Sequence, residues 1–414
     1  MKLFSSKPPF IPVIQMICQQ ITAFSKEEAN HLANKYAREY NKQASPKPYL
    51  SACIIFIELA FLIGISIRLY YQSNIKSSGI ISYFMKSIQS NQADSNTDFI
   101  KWVDFQVTSE AMNDAYQYDI QSHDTDTKID WINLLAVLGV KYGGDFKNYK
   151  KADMDTIAQQ LIKKETTLEE MTKNMKYYNY YNEAYHAVLG GMVGEYKIPS
   201  ENDGTKADSK SASTYHTVYG LKAFSPIAKG FPYSDYDDFG TSRSFGFRRQ
   251  HLGHDMMGQI GTPIIAVESG YIECLGWNRY GGWRIGIRSF DKKRYYYYAH
   301  LRQNFPYCKS LAVGSVVTAG DVIGYMGHTG YSDKENVNNI DVIHLHFGMQ
   351  LIFDESQKDG NGEIWISCYE LARFLSQNRS EVTKEESTKE WHRTQPMIDP
   401  AAEAYRNNQK RTAT

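Results

Sequence analysis

His251-Leu252-Gly253-His254-Asp255, followed roughly ninety residues on by His344-Leu345-His346, is the part of the chain from which the rest can be read. The two segments offer His251, Asp255 and His346 as ligands for one zinc ion and leave His344 as a base. Histidine and carboxylate are ordinary zinc ligands, and three protein ligands with one open position make the catalytic form of a zinc site. The His-x-His spacing has a physical meaning, because residues i and i+2 of a strand point to the same face. One histidine can bind metal while its neighbour faces substrate or metal-bound water. Taken alone, the pattern also suits a strand with two satisfied histidines, so the surrounding sequence has to decide.

Around the two segments lie Gly261-Thr262-Pro263-Ile264-Ile265-Ala266, a turn running into a strand, and then Ser269-Gly270-Tyr271-Ile272. A glycine-rich turn from Gly276 to Trp283 precedes the alternating strand Arg284-Ile285-Gly286-Ile287-Arg288. Tyr297-Tyr298-Ala299-His300-Leu301, Gly314, Gly320-Asp321, Ile323-Gly324, Gly327-His328-Thr329-Gly330 and His344-Leu345-His346-Phe347 follow in order. From about Gly220 to Ile352 this order resembles the LytM-type (lysostaphin-like, M23) zinc metallopeptidases. Their pattern runs H-x-x-x-D, Y-x-H-L, G-x-x-V-x-x-G-x-x-I-G, T-G and H-L-H-F. The resemblance implies His251, Asp255 and His346 as zinc ligands and His344 and His300 as catalytic histidines, with no catalytic position missing. It also implies an antiparallel sheet with a groove over the metal, and an amide bond of peptidoglycan stem peptides or cross-bridges as substrate. The residues themselves say only metal-assisted hydrolysis. Zinc lowers the pKa of a bound water from 15.7 to about 7. A neutral histidine can take that water's proton, and a second can hydrogen-bond the tetrahedral intermediate.

Other polar residues in this region carry milder readings. His254 lies between two proposed ligands, but neighbours on an extended segment point apart, so it is expected to face solvent or support the site from behind. His328 reads as a turn residue. Arg248 and Arg249 can bind a substrate carboxylate or simply be solvated. Of the 31 tyrosines, some suit a sugar or peptide polymer, because the ring offers flat apolar area and the hydroxyl a hydrogen bond; Tyr295 to Tyr298 reads as strand filling. The five cysteines include no Cys-x-x-Cys pair, so no cysteine zinc site is indicated. Cys274 and Cys308 read as buried free thiols. Lysine plus arginine equal aspartate plus glutamate at 46 each, which gives no electrostatic case for nucleic acid.

Leu50 to Ile67, LSACIIFIELAFLIGISI, is about 18 residues long, close to the length that crosses a bilayer. Glu58 costs roughly 2.5–3.5 kcal/mol at its centre, against roughly 0.3–0.6 kcal/mol gained from each Leu, Ile and Phe. Tyr49 and Tyr70-Tyr71 flank it as interfacial aromatics do. It begins too far from Met1 for an ordinary cleaved signal peptide, so an uncleaved anchor is expected. Lys26, Lys35, Arg38, Lys42 and Lys47 precede it, against Arg68, Lys76 and Lys86 after it. That bias places the N-terminus inside and the catalytic part outside. Phe10 to Phe24 reads as a peripheral amphipathic segment.

The chain is thus expected to be an α+β multi-domain protein. Its parts are a cytoplasmic segment 1–49, a transmembrane helix 50–67, a helical extracytoplasmic region 68–199, a linker 200–214, an antiparallel β-sheet metallopeptidase domain 215–375 and a disordered or loosely helical polar tail 376–414. Helices are read at Trp131 to Leu138 with a stop at Gly143-Gly144, over Met154 to Met171, and from Tyr177 to Tyr196. Phe353 to Leu375 is expected to add a further helix. The helical region reads as a spacer, or as a small domain that binds glycans or shields the site. The expected partners are peptidoglycan and, through the one N-terminal helix, the cell membrane. The rival reading is a zinc-containing but inactive binding module that activates another wall hydrolase. A processing peptidase acting on protein is a third.

Overall fold

The computed structural model describes residues 99–200 and 215–412, which lie in one compact unit. The segment 1–49, the span at 50–67, the charge bias around it and all but the first residue of the 200–214 linker lie outside the described residues. Among the described residues no helix is long and apolar enough to cross a membrane.

Among the described residues five α-helices come first: α1 (Ser109–Ser122), α2 (Trp131–Tyr142), α3 (Lys151–Ile162), α4 (Leu168–Thr172) and α5 (Tyr178–Leu189). The pattern begun by Trp102, Phe105 and Val107 is extended; the first helix waits for Thr108, whose hydroxyl accepts the Ala111 N–H. Helix α2 starts at Asp130, whose carboxylate accepts the Asn133 N–H, and stops at Gly143, in the left-handed region at φ 63°. Only glycine adopts that conformation without penalty. The helix read from Tyr177 to Tyr196 is shorter than expected. It ends at Leu189, and Val193–Pro199 leaves as strand β1. Gly191 lies so close to Glu268 that a Cβ there would collide with the carboxylate; the chain turns where it meets the sheet.

Strand β1 pairs antiparallel with β2 (Tyr215–Leu221), so the polar stretch between them joins two paired strands rather than two separate bodies. Then follow β3 (Ser234–Asp235), β4 (Ser242–Phe245), β5 (Phe247–Gln250), β6 (His254–Met257), β7 (Pro263–Ile265), β8 (Gly270–Asn278), β9 (Gly282–Ser289), β10 (Arg294–Ala299), β11 (Val316–Val317), β12 (Val322–Tyr325), β13 (His344–Leu351) and β14 (Ile364–Ile366). The main sheet has eight strands in the order β11-β8-β9-β10-β13-β6-β3, with β14 also on β13. Its pairs are antiparallel.

Alternation sorts the sheet into two faces. Ile285, Ile287, Tyr296, Tyr298, Leu345, Phe347, Met349 and Met256 are buried on one. The other carries Asp255, His346 and Ala299 in register across three strands, then Tyr297 opposite Gly348 and Tyr295 opposite Gln350. The four consecutive tyrosines thus divide, two filling the core and two flooring a groove.

The helical region is docked on this sheet rather than held away from it. Trp131 stacks on Phe374 at 5.6 Å, Gln357 Nε2 donates to the Ile100 carbonyl at 2.7 Å, and Arg294 Nη1 donates to the Ala187 carbonyl at 2.8 Å. Phe353 to Leu375 holds a short turn, the added strand β14 and only one α-helix, α6 (Tyr369–Leu375). The segment read as a disordered or loosely helical tail is ordered through residue 412. It forms a hairpin of β15 (Val382–Lys384) and β16 (Trp391–Arg393), then α7 (Pro400–Thr412). Its polar composition hides a few anchors. Arg379 donates to the Ala228 and Phe231 carbonyls, Trp391 packs edge-on against Phe231, and Tyr405 stacks on Phe290 and Tyr271.

Candidate metal centre

Register brings the first group together. Asp255 on β6 faces His346 on β13, and His251 arrives from the loop just before β6. Single ligand atoms of His251, Asp255 and His346 all lie within 4.8 Å of one another. His251 Nε2 is 3.0 Å from Asp255 Oδ1 and 2.9 Å from His346 Nδ1, which is itself 3.1 Å from the same oxygen. Two imidazole nitrogens and one carboxylate oxygen pointing at one spot are a zinc donor set. Gly253 makes this possible, because any side chain there would collide with the His346 ring.

Two residues that support this group carry no signal in the spacing. Asp238, fully buried, holds His251 from behind: His251 Nδ1 donates to it, 3.1 Å from its carbonyl and 3.2 Å from Oδ2. That fixes the tautomer and turns Nε2 towards the group. Arg243 donates from Nη2 to Asp238 Oδ2 at 2.8 Å and to Asp255 Oδ2 at 3.1 Å, leaving Oδ1 of Asp255 for the ligand cluster. Electrostatics follow from this packing. Burial works against charge on Asp255, but hydrogen bonds from His251 and His346 hold its carboxyl well below the usual range. Burial pulls His251 down, yet the carboxylates of Asp238 and Asp255 outweigh it and push His251 up to about 9.

His344 and His300 stand beside the group. His344 Nε2 lies 3.6 Å from Asp255 Oδ1, and the rings of His300 and His344 are 4.7 Å apart. His300 follows directly on β10 with a φ of 61°, an uncommon conformation for a residue with a side chain. Each ring donates Nδ1–H to a backbone carbonyl, His344 to Val342 at 2.8 Å and His300 to Thr329 at 2.9 Å. A carbonyl can only accept, so in the neutral ring Nε2 is an acceptor. Burial, reinforced by His344 and His346, pushes His300 well below its ordinary value, which favours the neutral ring.

Of the other residues singled out, His254 points to the opposite face, buried, with Nε2 3.0 Å from Asp235 Oδ2. His328 bonds the Ile340 carbonyl, as a turn residue would. Arg248 is exposed. Arg249 lines the groove, a cavity of about 970 Å³ that also holds Tyr295, Tyr297, His300, His344 and the ligand group. Cys274, Cys308 and Cys368 are free thiols.

A histidine–aspartate–histidine cluster in a groove on an antiparallel sheet, with two further imidazoles beside it, is a candidate zinc centre with room for a ligand. Residues 249–359 match Peptidase family M23, and the chain carries an M23 domain there. Over 134 residues, 32% of this chain and 39% of the relative, it is 39% identical to the L-Ala–D-Glu endopeptidase of Bacillus subtilis. It is 37% identical over 98 residues, 23% of this chain, to the glycyl-glycine endopeptidase ALE-1 of Staphylococcus capitis, covering 24% of that protein. The solved catalytic domain of lysostaphin from Staphylococcus simulans shares 34% identity over 29% of this chain and 80% of its own, with a TM-score of 0.24. The match spans less than two fifths of each of the two full-length relatives.

Proposed function

We propose that the chain is a zinc metalloendopeptidase that hydrolyses amide bonds in peptidoglycan stem peptides or cross-bridges, anchored in the cell membrane by residues 50–67 with its peptidase domain outside. The observation that carries the hydrolytic reading is the meeting of His251, Asp255 and His346 in one groove with two acceptor imidazoles beside them. His251 through Nε2, Asp255 through Oδ1 and His346 through Nδ1 would hold the ion. When bound, zinc supplies Lewis-acid polarisation of the scissile carbonyl and a more acidic water.

The rest is done by the protein. His344, whose Nδ1–H is committed to the Val342 carbonyl, receives the attacking water's proton at Nε2 and then delivers it to the leaving amine. His300 is held neutral with the same tautomer, so a proton must reach its Nε2 before it can donate to the developing oxyanion. Tyr295 and Tyr297 floor the groove and would flank the peptide. The membrane reading rests on the sequence of the 50–67 segment and its flanking charges. Digestion of purified cell wall of known chemistry by the zinc-loaded chain, with products identified by mass, tests the proposal. New amino termini within stem peptides or bridges are expected, and intact wall after prolonged digestion would refute it.

A further inference from the structure

Three arginines on the main sheet or its rim end on carboxylates: Arg243 on Asp238 and Asp255, Arg288 on Glu273 and Glu355, and Arg294 on Glu268 and Asp291. Arg249 and Arg284 do not. Both line the groove, and neither forms an ion pair among the described residues. Nη1 of Arg249 and Nε of Arg284 are buried without a hydrogen-bond partner. A buried, unpaired N–H is costly and uncommon in a folded protein, so its presence on the wall of a binding groove calls for a ligand.

The two side chains are also held ready. Arg249 lies between the rings of Tyr280 and Tyr331, 5.0 and 5.2 Å from their centres, and Nη2 donates to the Tyr331 hydroxyl at 2.9 Å. That leaves its other amine edge uncommitted. Arg284 follows from the sheet register. Tyr298 pairs with Ile285 and Ala299 with His346, so the next step of the ladder sets Arg284 beside Ala299. Strands are spaced by about 4.8 Å, which puts Arg284 two strands, roughly 10 Å, from the metal-ligating strand position. An extended peptide advances about 3.5 Å per residue, so the strand position of Arg284 lies about three residues along from the bond at the metal, and its long side chain can meet a substrate residue nearer than that. Four acids line the groove: Asp255 belongs to the metal group, Glu363 accepts from Trp365, and Asp341 and Asp359 pair with neither arginine among the described residues.

A guanidinium presents a planar fork of donors that matches a carboxylate. We infer that the groove receives a peptide bearing a free carboxylate one or two residues from the bond to be cut, and that Arg284, assisted by Arg249, binds that carboxylate. The inference rests on the hydrolytic reading above and narrows its substrate. A glutamate within a peptide always leaves one of its two carboxylates free, whereas a glycine bridge offers none. Acidic stem peptides are therefore the fitting class and polyglycine is not.

The test uses the full chain and three synthetic peptides: one containing an L-Ala–D-Glu bond, the same peptide with the free glutamate carboxylate converted to carboxamide, and pentaglycine. Calorimetric binding to the metal-free chain, where no turnover occurs, is read beside kcat/KM of the zinc-loaded chain. The acidic peptide is expected to bind at least tenfold more tightly than its amide. In Arg284→Gln the preference should shrink to less than threefold, chiefly through the acidic peptide, while Arg284→Lys retains part of it. Equal binding of acid and amide by the wild-type chain, or a preference that survives in the Arg249→Gln, Arg284→Gln double variant, overturns the inference. If pentaglycine is cut and the acidic peptide is not, the substrate class fails while the peptidase reading stands. If the acidic peptide binds selectively but no peptide and no wall is cut, the carboxylate site stands and the peptidase reading fails.

Discussion

Each proposed ligand and catalytic histidine makes a separable prediction. His346→Ala removes one of three converging donors and should lose zinc and activity together, checked by metal content after dialysis and by wall hydrolysis. His344→Ala leaves the donor cluster intact; zinc content should stay at the wild-type level while turnover falls by about 10²–10⁴-fold, the usual worth of a general base. Asp238→Asn should weaken zinc binding by roughly 10–100-fold, as loss of a group that orients a metal-ligating histidine does. A competition titration against a chelator of known affinity measures that shift. That His251, Asp255, His346, His344 and His300 would meet was legible in the sequence, because metal binding and proton transfer restrict residue type and a strand restricts spacing. Asp238 and Arg243 were not. They act by proximity alone, and nothing in the run from Asp238 to Arg243 marks a carboxylate that will lie under His251.

At the scale of elements, one buried ion pair ties the helices to the sheet, and one carboxyl within the helical region is shifted by burial. Arg294 on β10 binds Glu268 through Nε at 2.7 Å and reaches the last turn of α5, while Tyr296 donates to the same carboxylate at 2.6 Å. Arg294→Met would leave Glu268 buried without its counter-charge, and a loss of about 3–5 kcal/mol is expected in urea denaturation. Asp104, just before α1, is the shifted carboxyl. Burial, with Asp145 adding to it and Gln106 opposing it, raises its pKa from 3.8 to about 6. The folded chain then holds a proton that the unfolded chain has already released between about pH 4 and 6. Stability should fall as pH rises through that window and level off above it, by up to about 3 kcal/mol. Asp104→Asn should flatten this fall and leave the protein more stable at pH 7, read from denaturation midpoints between pH 4 and 8. The helix stop at Gly143 was legible because one residue type answers a local geometric need. Strand β1 was not, since tyrosine-rich sequence suits helix and strand alike and its partner lies beyond a polar stretch.

For the whole molecule, the sequence suggested beads on a string: anchor, helices, linker, enzyme, tail. The described part is instead one unit, and the reason is long-range. Trp131 and Tyr116 of the helices close over Phe374 of α6, β1 supplies the partner of β2, and the tail hairpin seals the far edge through Ser380 and Trp391. None of these contacts leaves a periodic mark in the chain. The anchor proposal makes its own forecast: a protease site placed after Tyr71 should be cut from outside intact cells and one before Pro46 should not, and deletion of Leu50 to Ile67 should release the chain from membranes. The docking makes the final one. A chain starting at residue 99 keeps every contact described here and should unfold in a single cooperative transition. A chain starting at residue 215 keeps all proposed catalytic residues but strips β2 of its partner, Arg294 of the Ala187 carbonyl and Phe374 of its aromatic cover. Its melting temperature should fall by several degrees for each kcal/mol lost, and the exposed apolar face should bind a hydrophobic dye. If the shorter chain melts at the same temperature and binds no dye, the helices are a spacer after all, and the sheet carries its stability alone.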